Sequence, residues 1–213
     1  HLNENIHNLS SVLCVGLDTD IRKIPDCLGH TAEGMLEFNK QIILATAPYA
    51  IAFKINSAFY ESLGAEGWNI MKETISFART QNRFVILDAK RGDIGNTADM
   101  YAKSSFEFLC ADAVTVAPYM GKDSVTPFLK YDQKWTILLA LTSNPGSEDF
   151  QLQELATGKL VYEDVLSKAS SWASNEKMMF VVGATRIEHL EKIRTMVLNY
   201  FLLIPGVGTQ DGD

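Results

Sequence analysis

Features that mark membrane-embedded, secreted or nucleic-acid-binding proteins are missing from this sequence. No stretch approaches the ~18 consecutive apolar residues that a membrane-spanning helix needs, and residues 1–10 are polar, without the apolar centre of a secretion signal. Lys and Arg number 19 against 26 Asp and Glu, so the formal net charge of −7 lacks the basic excess typical of nucleic-acid binding. We therefore expect a cytoplasmic protein that binds neither membranes nor nucleic acid.

Cysteine and histidine are also scarce. The three cysteines, Cys14, Cys27 and Cys110, are odd in number and widely spaced, which favours reduced thiols over a disulfide framework or a zinc site. The four histidines lie in polar surroundings and lack the H-x-x-x-H and H-x-x-E-H spacings of metal sites. The sequence therefore predicts no metal site and no histidine chemistry.

What the sequence does contain is an ordinary globular composition, with 46% hydrophobic and 21% charged residues. Apolar runs rich in β-branched and aromatic residues alternate with stretches of helical periodicity, which is typical of βαβ units with strands buried on both faces. The predicted strands are 12–17, 51–55, 84–87, 113–116, 136–141, 178–182 and 201–204. The predicted helices lie near 34–47, 64–80, 97–109, 121–130, 159–174 and 186–198.

The number of strands indicates an α/β protein of the (β/α)8 TIM-barrel class. Such a barrel of ~250 residues uses ~31 residues for each unit, so 213 residues hold about seven units. The sequence stops just after a glycine-rich turn, so we expect the eighth unit to be absent or truncated and the natural chain to continue beyond Asp213. No linker or repeat divides the chain, and residues 1–213 are predicted to form a single catalytic domain.

Polar residues gather where the apolar runs end. In a barrel, the carboxyl ends of the strands form the functional face, and residues two apart on a strand point to the same side. We therefore expect Lys54 with Asn56, and Asp88 with Lys90, to project into one pocket. Isolated salt bridges at loop ends remain the alternative. The residues at these strand ends are Asp18, Lys54, Asn56, Asp88, Lys90, Thr142 and Ser143.

One segment carries the sharpest pattern, D-x-K-x-x-D-I-x-x-T from Asp88 to Thr97, directly after a hydrophobic strand. With Lys54, it resembles the signature of the orotidine 5'-monophosphate (OMP) decarboxylase family, in its longer-chain subgroup. Further matches run through the chain in order. They are GLDTD at 16–20, FKINSAFYESLG at 53–64, VTVAPYMGKDSVTPF at 114–128, LTSNPGS at 141–147, FVVGAT at 180–185 and IPGVGTQDGD at 204–213.

The resemblance implies an enzyme that decarboxylates OMP to uridine 5'-monophosphate (UMP), the last step of pyrimidine synthesis, without metal or organic cofactor. Loss of CO₂ leaves a carbanion at C6 that the ring cannot delocalise, so an ammonium must stabilise it. The position of Lys90 matches the family lysine beside C6, which then acts as general acid. Lys54, Asp88 and Asp93 complete the implied catalytic set.

The resemblance also implies a homodimer with shared active sites. In the family, the residues that match Asp93, Ile94 and Thr97 enter the site of the partner subunit. Ordinary core packing and packing at the start of a helix remain the alternatives for Ile94 and Thr97.

The implied substrate-binding residues follow the same matches. Asp18 and Asn56 would contact the ribose, Thr142 or Ser143 the uracil edge, and Pro205 the pyrimidine, while capping remains an alternative for the hydroxyl and amide residues. Backbone N–H groups of a glycine-rich loop suit a phosphate, and the predicted phosphate contacts are Gly206, Gly208 and Gln210. Asp211 stands where the family has glycine and is expected to point outward, and the family's phosphate-binding arginine is absent from the sequence.

Two other functions remain open from the sequence. A metal-dependent sugar-phosphate decarboxylase or aldolase of the same superfamily would carry an acidic metal ligand at the position of Lys54, whose charge repels Mg²⁺. A non-catalytic nucleotide-binding barrel would bind a ligand without turnover.

Overall fold

The computed structural model describes residues 2–207, in which parallel strands alternate with helices as predicted. The strands are β1 (Cys14–Gly16), β2 (Ala52–Asn56), β3 (Phe84–Arg91), β4 (Ala113–Val116), β5 (Trp135–Leu141), β6 (Met178–Val182) and β7 (Leu202–Leu203). The α-helices are α1 (Leu2–Leu9), α2 (Ala32–Thr46), α3 (Ser57–Glu61), α4 (Gly64–Thr80), α5 (Gly95–Lys103), α6 (Lys122–Leu129), α7 (Ser147–Phe150), α8 (Val161–Ala169) and α9 (Ile187–Met196).

Each of the seven predicted strands overlaps an observed strand, and each predicted helix contains or overlaps an observed helix. The main differences are at boundaries and in short elements. β3 continues to Arg91, four residues past its predicted end. The predicted helix 97–109 divides into α5 and a π-helical turn at Ser104–Phe108. Helices α1, α3 and α7 were not predicted, because they are short and rich in polar residues.

The chain forms two compact units. The first comprises the residues up to Ala89 together with Lys103–Val114, and the second comprises Lys90–Ala102 together with the residues from Thr115 onward. The order of the strands in the sheet is the same as their order in the chain, from β1 to β7. Short parallel strands joined through helices therefore build the whole described fold.

In the first unit, β2 lies between β1 and β3. Gly16 pairs with Lys54, and Asn56 pairs with Asp88. Helices α2 and α4 pack against each other, and their apolar residues join those of β2 in a fully buried core. The core side chains include Met35, Ile43, Phe53, Ile55, Met71 and Ile75. This packing aligns the carboxyl ends of β1, β2 and β3.

In the second unit, β6 lies between β5 and β7, with Phe180 paired to Leu202. The pairing of β5 with β6 shifts between Leu139 and Leu141. Helix α8 packs against β5, where Tyr162 and Leu166 are fully buried. Burial of this apolar surface is the main source of stability for such a unit.

The structure also describes the cysteine thiols and the lengths of the helices. Cys14, Cys27 and Cys110 carry free thiols, as the spacing predicted. Across residues 2–207, no helix combines the length and the apolar character that crossing a membrane requires.

Candidate active site

Lys54 joins the ends of three strands in the first unit. Its Nζ lies 3.0 Å and 3.3 Å from the two carboxylate oxygens of Asp18, and 3.3 Å from Oδ2 of Asp88. The exposed side-chain fractions are 14% for Lys54, 37% for Asp18 and 9% for Asp88. Three of the predicted site residues therefore form one ion-paired group, which we call the Lys54 triad.

The strand register explains why these charges meet. Lys54 lies opposite Gly16 of β1 and Ile86 of β3, so the residues that follow on both neighbours are within reach of its side chain. Burial alone would lower the pKa of Lys54, but the carboxylates of Asp88 and Asp18 outweigh it and raise this pKa above its ordinary value. The ammonium at the centre of the triad is therefore held in its charged form.

Cys14 is a neighbour of the triad that the sequence did not single out. Burial raises the pKa of its thiol to about 12, although the nearby Lys54 acts in the opposite direction. The thiol consequently stays protonated, and it adds no charge to the site.

Asn56 lies at the end of β2 and caps α3. Its Oδ1 accepts a hydrogen bond of 3.2 Å from the amide of Ala58, which is the ordinary role of an asparagine before a helix. The capping alternative is therefore confirmed for Asn56, and its contact with a ribose stays a prediction.

Lys90 belongs to the second unit and interrupts the regular strand geometry of β3. Its φ is 46°, in the left-handed region that a lysine rarely adopts. The alternation rule that was expected to aim Lys90 to the same side as Asp88 therefore does not apply at this residue. The Lys90 amide donates a 2.9 Å hydrogen bond to the buried hydroxyl of Thr115, which secures the strained backbone.

Thr115 is a residue that sequence reasoning missed. It lies within the apolar run of β4, where it reads as one more β-branched core residue. A hydroxyl in an otherwise apolar strand was the available signal, because a buried hydroxyl needs a partner.

The segment after β3 carries the other predicted residues, Asp93, Ile94 and Thr97. Oδ1 of Asp93 accepts a 2.8 Å hydrogen bond from the amide of Ile94, just before α5 begins at Gly95. The side chains of Ile94 and Thr97 are exposed. The core-packing alternative is therefore wrong for Ile94, while entry of these residues into a partner's site stays a prediction.

Thr142 and Ser143 follow β5 in the second unit. The hydroxyl of Thr142 donates to Oδ1 of Asn144 at 2.7 Å and accepts from Nε2 of Gln151 at 2.9 Å. The carbonyl of Ser143 accepts from the hydroxyl of Thr185 at 3.1 Å. Gly183 passes so close that a Cβ there would lie 2.6 Å from the Ser143 backbone. The ends of β5 and β6 are thus held together, and the uracil contacts stay predictions.

The predicted phosphate loop begins after β7. The carbonyl of Pro205 accepts a 2.9 Å hydrogen bond from the amide of Ala184, and Gly206 has a φ of 102°, which glycine adopts without strain. The predicted roles of Gly208, Gln210 and Asp211 concern residues that lie outside the described range.

The residues of the site are not arranged as metal ligands. Within the described part of the chain, no three His, Cys, Asp or Glu side chains cluster in a way that could hold a metal ion. Both carboxylates of the triad are instead bound to the Lys54 ammonium.

Comparison with known proteins gives one consistent family. The family model described as "Orotidine 5'-phosphate decarboxylase / HUMPS family" matches residues 11–213. The orotidine 5'-phosphate decarboxylase of Phocaeicola vulgatus is 57% identical over 98% of this chain and 78% of its own length. That of Porphyromonas gingivalis is 53% identical over 95% of this chain and 74% of its own length.

Solved structures agree with these relatives. The OMP decarboxylase of Leishmania donovani is 39% identical, with a TM-score of 0.86 over 97% of this chain and 80% of its own. The UMP synthase of the same organism is 41% identical, with a TM-score of 0.90 over all of this chain and 45% of its own. The likeness confirms the predicted TIM-barrel class, of which the described residues include seven strands. By sequence and by fold, the chain belongs to the orotidine 5'-phosphate decarboxylase / HUMPS family.

Proposed function

We propose that this chain decarboxylates OMP to UMP and CO₂, the last step of de novo pyrimidine synthesis, and that it does so without a cofactor. The observation that carries the proposal is the Lys54 triad, in which one ammonium lies within 3.3 Å of two carboxylates at the strand ends. Relatives named for this reaction are 57% identical over nearly the whole chain.

The chemistry requires a positive charge beside C6 of the pyrimidine. As the bond from C6 to the carboxylate breaks, its electron pair stays on C6 and CO₂ leaves. We assign the Lys90 ammonium to stabilise this carbanion and then to transfer a proton from Nζ to C6. At about 4 Å and an effective dielectric constant of ~20, one such charge pair is worth roughly 4 kcal/mol, or about three decades of rate.

The triad supplies the fixed charges around that reaction. Asp88 is assigned to face the carboxylate of the substrate, so that repulsion is relieved as CO₂ departs. Lys54 compensates the charge of the nearly buried Asp88, which would otherwise be costly to keep ionised. Asp93 completes the alternating set of charges.

The remaining predicted residues are assigned to hold the nucleotide. Asp18 and Asn56 contact the ribose, Thr142 or Ser143 the uracil edge, and Pro205 the pyrimidine. Backbone N–H groups at Gly206 and Gly208, with Gln210, bind the phosphate. Binding energy from this remote group is then available to stabilise the transition state at C6.

The proposal is tested with the natural full-length protein, purified and treated with a chelator. It should convert OMP with loss of the near-ultraviolet absorbance of the substrate. A strict requirement for added Mg²⁺ would favour the metal-dependent sugar-phosphate enzymes of the superfamily. Tight binding of UMP without any turnover of OMP would favour a non-catalytic nucleotide-binding barrel.

The proposal includes a homodimer in which Asp93, Ile94 and Thr97 enter the partner's site. The exposed apolar side chain of Ile94, next to Asp93 at the start of α5, supports a surface that receives another molecule.

The shared-site homodimer is tested by mixing Asp93→Ala protein with Lys54→Ala protein. Each variant alone should be inactive, whereas random mixing should restore about a quarter of the wild-type activity, because one site in each mixed dimer is intact. Verified mixed dimers without activity would contradict shared sites.

Three further assignments belong to the proposal. The chain belongs to the longer-chain subgroup of the family, because it covers only 78% and 77% of its relatives. Residues 1–213 form a single catalytic domain, which the one family model over residues 11–213 supports. The location is cytoplasmic, which suits three unpaired thiols.

A further inference from the structure

A buried hydrogen-bonded network lies behind the triad in the first unit. The hydroxyl of Tyr60 donates to the carbonyl of Leu17 at 3.0 Å and accepts from Nδ2 of Asn39 at 3.0 Å. The same Nδ2 also donates to Oγ1 of Thr74 at 3.2 Å. Oδ1 of Asn39 accepts from the hydroxyl of Thr19 at 2.6 Å. We call Thr19, Asn39, Tyr60 and Thr74 the Asn39 network.

The polar side chains of the network are almost completely buried. Asn39, Tyr60 and Thr74 are fully buried, and Thr19 is 7% exposed. Its members come from α2, α3, α4 and the residues after β1, and every polar atom of the Asn39 amide has a partner. Helices that only pack together can do so through apolar side chains, whereas each buried polar group costs free energy unless it is hydrogen-bonded. The arrangement therefore calls for a role beyond packing.

The network forms hydrogen bonds with the two residues adjacent to Asp18 in the sequence, Leu17 and Thr19. Tyr60 holds the Leu17 carbonyl, and Asn39 holds the Thr19 side chain. The Leu17 amide also donates to the carbonyl of Lys54 at 2.8 Å. Asp18 itself is the most exposed member of the triad, so its own surroundings do little to fix its direction.

We propose that the Asn39 network positions Asp18 against Lys54, with Tyr60 and Asn39 as positioning residues for the reaction. The inference rests on the proposed function, because it assigns the triad to catalysis. Burial raises the pKa of the Tyr60 phenol above its ordinary value, so the hydroxyl remains a proton donor to the Leu17 carbonyl. Misplacing a catalytic charge by about 1 Å is enough to cost up to about a hundredfold in rate.

The main variant is Tyr60→Phe, which keeps the buried ring and removes the hydroxyl. We expect kcat to fall about tenfold to a hundredfold, with a smaller rise in the Kd for UMP, because Asp18 is also assigned to contact the ribose. The matched control is Tyr162→Phe in the second unit, because Tyr162 is also fully buried and its hydroxyl lies 3.2 Å from both Glu163 and His189. Both variants should lose folding stability, but only Tyr60→Phe should lose kcat. Equal loss of stability with unchanged kcat in both would overturn the proposal.

Two substitutions at Thr74 serve if Tyr60→Phe does not fold. Thr74→Val removes the hydroxyl at nearly constant volume, whereas Thr74→Ser retains it. We expect Thr74→Val to lower kcat and Thr74→Ser to stay close to the wild type. The same kcat in both variants would contradict the proposal.

A second measurement does not depend on turnover. The groups that face Lys54 within the first unit are Asp18 and Cys14 on the side of β1, and Asp88 on β3. If Asp18 moves away, the pKa of Lys54 should fall in Tyr60→Phe and not in Tyr162→Phe, as followed by NMR of labelled lysine. An unchanged pKa would overturn the positioning role, whereas wild-type protein that does not decarboxylate OMP would overturn only the proposed function.

Discussion

The two units hold their functional charges in different ways. In the first, Lys54 lies between two carboxylates, one of them nearly buried, and all three side chains bind each other. In the second, Lys90 is exposed on a left-handed backbone, and Asp93, Ile94 and Thr97 follow on an exposed segment. The Lys54 triad of the first unit is thus mostly buried, whereas Lys90 of the second unit is exposed.

The difference indicates two kinds of contribution to the proposed reaction. The ion-paired Lys54 keeps its proton and helps to define an electrostatic environment before substrate binds. A strained lysine on an open surface costs about 1 kcal/mol of backbone energy, and such strain is typical of residues that meet a ligand. We therefore expect substitutions in the Lys54 triad to affect folding as well as activity, and substitutions of the exposed Lys90 to affect activity alone.

The largest effect is expected for Lys90→Ala. Loss of the ammonium beside C6 should lower kcat by about a thousandfold or more, while the Kd for UMP changes by less than about tenfold and the unfolding free energy hardly changes. Steady-state kinetics and calorimetry provide the measurement. Lys103→Ala, at the exposed end of α5, is the control and should behave as wild type. An unchanged kcat in Lys90→Ala would remove Lys90 from its assigned role.

Lys54→Met should produce the largest loss of stability. Removing the ammonium deprives the nearly buried Asp88 carboxylate of its ion pair with Lys54, so we expect the unfolding free energy to fall by about 3 kcal/mol in urea denaturation. The control is Lys130→Met, which breaks the exposed pair of Lys130 with Asp99 and should cost less than about 1 kcal/mol. Equal losses in the two variants would contradict the contrast between buried and exposed charges.

The loss of stability in Lys54→Met should depend on pH. Because the pKa of Lys54 is raised in the folded state, the folded protein holds this proton more tightly than the unfolded chain does. The stability difference between wild type and Lys54→Met should therefore be constant from neutral pH up to the ordinary lysine value of 10.5 and should shrink as the pH rises above it. A difference that vanishes already near neutral pH would show that the triad does not stabilise the fold.

The sequence predicted the parts of the site that follow from periodicity. Asp18 and Asp88 follow apolar runs and Lys54 lies near the end of one. The carboxyl ends of adjacent parallel strands meet at one edge, so contact among these residues could be expected. The direction of Lys90 could not be predicted in this way, because its left-handed backbone depends on the hydroxyl of Thr115, 25 residues along the chain.

The other features that the sequence did not predict also depend on residues far apart in the chain. Asn39 and Thr74 lie in helices whose periodicity marks both residues as inward-facing. The hydrogen-bond partners of Asn39, however, include Thr19 and Tyr60, which are 20 or more residues away in the chain. Helix α1 buries Leu2 and Asn5, and Nδ2 of Asn5 donates to the carbonyl of Asn82. Contacts between distant segments decide such features, and local patterns do not contain them.

The smallest predicted effect concerns Ile94, and it separates folding from binding most cleanly. Ile94 is 49% exposed, and Leu44 on α2 is 54% exposed, so truncation of either to alanine should change the unfolding free energy by less than about 0.5 kcal/mol. If Ile94 enters the partner's site, Ile94→Ala removes an apolar contact with the nucleotide and should raise KM for OMP about tenfold, whereas Leu44→Ala leaves KM unchanged. The same KM in both variants would mean that the exposed segment of the second unit carries no binding function at this position.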